Sequence, residues 1–147
     1  MALEYELTLE GSIPVEQLAT RAVPEEHPTG TPELLSADLY DRYGFELTIL
    51  AGENGYVSAS SDTGMWEWEP TAFTSIGFRM DKFADFTWEV TNMLTVVRRV
   101  LQTGEENAVL VLNSDVLLFT RFGGELVKHR REPWWDHYAG ANEILPG

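Results

Sequence analysis

Cysteine is absent from the 147 residues. This removes disulfides, thiolate metal ligands and cysteine nucleophiles from consideration. No apolar run approaches the ~20 residues that a membrane-spanning helix needs. Histidine is sparse: His27 lies in a proline-rich loop, His129 in the last predicted strand and His137 after two tryptophans. None shares a helix with a second histidine at ligand spacing, so no metal site is expected. The serine-nucleophile pattern G-x-S-x-G is missing, and "TGEEN" and "FGGE" lack the lysine and following helix of a phosphate loop. No catalytic, cofactor-binding or metal-binding residue emerges, and the chain reads as a non-enzyme. Basic residues are nearly missing from one half: residues 1–70 hold 14 Asp and Glu against Arg21 and Arg42, a net of −12, while residues 71–147 hold 10 acidic and 8 basic residues. A field of that sign repels nucleic acid and anionic membranes and speeds encounter with a basic partner.

Apolar residues make up 44% and aromatics 12% of the chain, a globular composition that suffices for one domain over residues 1–147. The opening "MALEYELTLE" alternates Glu with Leu and Tyr, which predicts a strand over 2–10 rather than a secretory signal, and a soluble cytoplasmic protein is the default expectation. "GSIPVEQLATRAV" follows as a short helix, with Ser12 able to cap and Pro14 in the first turn. Residues 24–32 form a loop rich in proline. "PELLSADLYDRYG" predicts a short helix ending at Gly44, with an extended second half as the alternative. "FELTILAG" and "YVSASS" flank Asn54-Gly55, a hairpin signal. "MWEWE" and "TAFTSIGFRM" read as further strands.

The major helix is expected at about residues 83–102, capped by Asp81 or Asp85, with an apolar stripe of Phe86, Val90, Met93, Leu94, Val97 and Leu101. "NAVLVLN" reads as a buried strand, and "DVLLFTRF" and "ELVKHR" flank Gly123-Gly124 as a second hairpin. The fold class is therefore α+β: a single largely antiparallel sheet, the long helix packed on one face, and a shorter N-terminal helix.

Two aromatic clusters stand out. In "KHRREPWWDHY" the basic residues are interrupted by Glu132 and Asp136, and Pro133 breaks the strand; Trp134, Trp135 and Tyr138 are expected to fold back over an edge or end of the core. In "GMWEWEP", Trp66 and Trp68 share one strand face and Glu67 and Glu69 the other. The acidic outer surface that combines charge with an aromatic anchor is the candidate partner-binding patch: Glu46, Glu53, Asp62, Glu67 and Glu69, with Trp66 or Trp68 as anchor. It ranks above Glu4, Glu6 and Glu10, which lack the aromatic. The alternatives are a carbohydrate or small-molecule module built on Trp66, Trp68, Trp134 and Trp135, and a hydrolase using Glu67 or His137.

Three motifs together resemble the Sit-type (swarming-inhibition) immunity family of bacterial polymorphic toxin systems: the N-terminal strand "MALEYELTLE", a "GFRMDK" segment just before the long helix, and an R-x-GGEL hairpin near the end. Residues 24–45 depart from the pattern, and "KHRREPWW" matches it only in part. The resemblance implies a non-enzymatic cytoplasmic protein that binds and neutralises a cognate toxin, and it carries no binding residues onto this sequence. Asp81 in the second motif sets a helix start and the glycines of the third set a turn, so these two motifs are expected to build the fold, with partner specificity elsewhere.

Overall fold

The computed structural model describes residues 3–147. Ten strands form one sheet: β1 (Glu4–Glu10), β2 (Thr29–Gly30), β3 (Leu34–Leu39), β4 (Phe45–Glu53), β5 (Val57–Ser61), β6 (Gly64–Trp68), β7 (Ala72–Met80), β8 (Ala108–Leu112), β9 (Val116–Phe122) and β10 (Glu125–Lys128). The helices are α1 (Val15–Ala22), α2 (Tyr40–Tyr43), α3 (Phe86–Gln102) and α4 (Ala141–Ile144), with a π-helical turn over Arg131–Trp135 before the last. The strand order is β2-β3-β4-β7-β1-β8-β9-β5-β6, with β10 also on β9. All pairings are antiparallel except the single parallel bridge of Ser60 to Val116. The α+β architecture expected from the alternation of periods is the one observed.

Period two puts Tyr5, Leu7 and Leu9 of β1, Phe45, Leu47 and Ile49 of β4, and Ile76, Phe78 and Met80 of β7 on one face, all buried. The apolar stripe of α3 (Val90, Met93, Leu94, Val97, Val100) covers that face, and α1 contributes Val15, Leu18, Ala19 and Ala22. Asp85 caps α3, its carboxylate accepting from Trp88 N at 3.2 Å. Asp81 instead closes the turn before it, accepting from Phe83 N at 2.9 Å. The helix thus starts at Phe86 rather than 83. Pro14, not Ser12, occupies the cap position of α1, with no side-chain cap bond.

Two local expectations differ from the structure. Residues 34–39 are a strand where a helix is expected, and only 40–43 are helical, so the half expected to be extended in the alternative is the half that coils. Leu35 and Leu39 alternate inward, and the open edge of β4 supplies six paired positions that a helix would leave empty. Gly44 does end the helical turn, at φ 88°. Asn54-Gly55 turns the chain, Asn54 at φ 55°, but does not join paired strands. β4 keeps its ladder with β7, and Asn54 N and Gly55 N continue it to Thr71 O and Pro70 O at 2.7 and 2.8 Å. The segment between is a separate β5–β6 hairpin that lies against the other side of the sheet. Asn-Gly permits the turn and leaves the partner open; burial decides, since β4 and β7 both present large apolar side chains to α3.

The second hairpin forms as expected: Gly123 and Gly124 both have positive φ, at 60° and 82°, and β9 pairs with β10 around them. Arg121, at the start of this motif, is buried and donates to four carbonyl contacts: Leu101 O at 2.8 Å, Gly104 O at 3.3 Å, and Glu106 O at 3.1 and 2.8 Å. It ties the end of α3 to the entry of β8, so this motif holds the fold together.

"KHRREPWW" closes the core. Trp135 is fully buried and donates from Nε1 to Leu118 O at 3.0 Å. Trp134 donates to the Tyr5 hydroxyl at 3.2 Å and meets its ring edge-on. Lys128 lies 4.4 Å over the Trp135 ring and donates to Asn142 Oδ1 at 2.9 Å. Burial lowers its ammonium pKa, and the charge of Arg131 adds to the effect.

Candidate interaction surface

The sheet face away from α3 carries the outward residues of the same strands. Glu4 and Glu6 of β1, Glu46 and Thr48 of β4, and Gly77 and Arg79 of β7 line a groove of about 220 Å³ that Ser114 closes at one end. Gly77 lets the groove exist, because a Cβ there would stand 2.6 Å from Thr48 Oγ1. The β8–β9 turn is docked on β1 by Asn113, whose Oδ1 accepts from Glu4 N at 2.9 Å. In register, Arg79 is opposite Glu4 on one side and Glu46 on the other. Its nearest ion pair, to Glu4 at 4.0 Å, is exposed on both partners and is worth little. One guanidinium therefore faces three carboxylates. Glu6 is exposed by area, yet the groove walls withdraw enough water to raise its carboxyl pKa above the ordinary range. The Thr8 hydroxyl bond opposes that shift and the charge of Glu4 adds to it.

The β5–β6 hairpin forms one wall beyond this groove. Trp66 and Trp68 share a face, as their spacing implies, with centroids 6.4 Å apart. Both are half-buried against a second small cluster of Ala59, Val109, Val111 and Leu117, and both pack on Phe122, at 6.2 and 5.5 Å. Glu67 points the other way and accepts from the Tyr56 hydroxyl at 2.8 Å. Glu53 and Glu69 are exposed. Asp62 is tied into the fold: its Oδ1 accepts from Arg130 N at 3.0 Å, and its own N donates to His129 Nδ1 at 3.2 Å. The same His129 nitrogen lies 3.7 Å from Asp62 Oδ2.

The structure thus places Trp66, Trp68 and Glu67 on one hairpin, but sets Glu46 in the groove with Glu4 and Glu6, acids that sequence reasoning ranked lower. Their outward alternation was visible in the sequence; that β1 and β4 flank β7 was not. Trp134 and Trp135 lie in the main core, away from the pair on β6, so the four tryptophans do not assemble one platform. Among the described residues no group of three or more His, Asp and Glu is placed to hold a metal ion, and no helix is long and apolar enough to cross a membrane.

Glu89, in the first turn of α3, is an outlier. It is 0% exposed, neither carboxylate oxygen has a properly formed hydrogen bond, and its Cγ lies against the Cα of Gly44. Burial pushes its carboxyl up to about 7, and the charge of Asp81 adds to the shift.

Comparison with curated proteins and with solved structures gives no match. A family model described as SitI3-like matches residues 3–139, a span that includes the first strand, the groove, the long helix and the Gly-Gly hairpin. With nearly its whole length inside that match, the chain belongs to the SitI3-like family.

Proposed function

We propose that this chain is an immunity protein that binds a cognate bacterial toxin and neutralises it by stoichiometric occlusion, without chemistry of its own. Membership of the SitI3-like family over residues 3–139 is the observation that carries this reading. The charge distribution supports the mode of binding. A net charge of −14, nearly all of it in the first 70 residues, suits a basic partner, and a toxin that grips phosphates would be basic. The proposed docking surface takes in Glu46, Glu53, Asp62, Glu67 and Glu69, with the open edges of Trp66 and Trp68 as anchors. Glu4 and Glu6 extend it through the groove. Such a surface accelerates encounter and covers the toxin's working cleft. The protein would act in the cytoplasm, where it meets the toxin.

The test is co-expression and co-purification with the toxin domain encoded beside this gene. A one-to-one complex and restored growth of toxin-producing cells are expected. Growth arrest despite abundant folded immunity chain, with no complex, refutes the reading.

A further inference from the structure

Three large aromatic side chains crowd the corner where β7 passes into α3, and the fold leaves them open. Phe83 is 87% exposed, Phe86 43% and Trp88 39%. Isolated exposed apolar residues are ordinary, but three aromatics within about one helical turn are not. The corner is also held in place. Phe83 N donates to Asp81 Oδ1 and Trp88 N to Asp85 Oδ2. The Trp88 ring leans on Gly44, where an added Cβ would stand 2.9 Å from it. The phenyl of Phe83 is therefore presented on a pinned turn rather than a loose one, which lowers the cost of ordering it on binding.

The surrounding charge identifies the occupant. Asp81 and Asp85 lie in the same turn. Asp38, Glu46, Arg79 and Asp81 all act on Tyr40 in the neighbouring helical turn. Arg79 has Glu4 beside it and Arg42 is paired with Glu26. Among the described residues the remaining cation of this corner, Lys82, lies 5.2 Å over the Phe83 ring. A second copy would bring Asp81 and Asp85 against their own kind on a chain of charge −14. We propose that Phe83, flanked by Phe86 and Trp88, is an aromatic anchor that inserts into an apolar socket ringed by Lys and Arg on the toxin. This rests on the immunity reading and adds to it an apolar anchor at the Glu46 end of the acidic face.

The test uses the full-length chain and the toxin domain encoded beside the gene, with affinity measured by calorimetry for wild type and Phe83→Ala. Phe83 touches little of its own fold, so the variant should keep the wild-type melting temperature and lose at least about 30-fold in affinity, as truncation of an interface hot spot does. Affinity within about threefold of wild type, the usual outcome for a non-hot-spot residue, overturns the anchor and leaves the immunity reading standing. Absence of any wild-type complex overturns both. A wild-type dimer in sedimentation that Phe83→Ala dissolves assigns the corner to self-association and overturns the proposal.

Discussion

Replacing Glu89 by Gln tests how this fold carries an unpaired buried carboxyl. Its pKa is raised in the folded state to about 7 from an ordinary 4.5. Below about pH 4.5 both folded and unfolded chains hold the proton, and Glu89 costs nothing on this count. Between about 4.5 and 7 the unfolded chain has lost the proton and the folded chain keeps it, so stability falls as pH rises; above about 7 the full cost applies. At about 1.4 kcal/mol per pH unit the ceiling is about 3 kcal/mol. The first turn of α3 lies near the protein surface, where relaxation can admit water, and a working value is about 2 kcal/mol. Glutamine has the shape of the protonated acid and does not titrate. Urea denaturation followed by tryptophan fluorescence should show Glu89→Gln close to wild type at pH 4.5 and more stable by about 2 kcal/mol at pH 8. The rising repulsion of a −14 chain acts on both proteins and cancels in the difference. A gap that stays constant with pH, or that favours wild type at pH 8, refutes the reasoning.

The other stability predictions concern the same framework. Arg121→Met removes the guanidinium that joins the end of α3 to β8 and leaves the carbonyls of Leu101, Gly104 and Glu106 without it. A loss of about 3 kcal/mol in denaturant unfolding is expected, and a loss under about 1 kcal/mol would show that water replaces it. Gly44→Ala forces alanine to φ 88° and puts its Cβ 2.5 Å from Glu89 Cγ, so destabilisation of about 1–3 kcal/mol by thermal or urea unfolding is expected. An unchanged melting temperature would contradict the packing described around Glu89.

Much of the scaffold was legible because its signals are local. Leu3 to Leu9 alternate, Asp85 precedes a stripe at helical spacing, Gly123-Gly124 supplies two positive φ angles, and adjacent tryptophans after a proline have enough area to demand burial. Signals that depend on partners were not legible. Asn54-Gly55 looks the same whether its flanking strands pair with each other or, as here, with β7 and β9. "ELLSADL" could be helix or strand until the edge of β4 stood waiting beside it. The groove acids were visible as outward residues, but nothing in one sequence says that Glu4, Glu6 and Glu46 meet around Arg79, because strand order is not written locally. The sequence pattern puts Phe83 at the first position of a helix, which conceals its exposure. The Asp81 side chain bonded to Phe83 N, which stops the helix from starting there, is a turn signal that sequence reasoning assigned to capping.

The central claim is that the acidic face docks a basic toxin. It is tested most directly by titrating the neighbouring toxin domain into wild type and into Glu67→Lys/Glu69→Lys at several salt concentrations. The account predicts a one-to-one wild-type complex that weakens steadily as ionic strength rises. It also predicts a double variant that binds at least about tenfold more weakly at low salt, with its fold intact. Tight wild-type binding indifferent to salt, or a charge-reversed variant that binds as well as wild type, would contradict it.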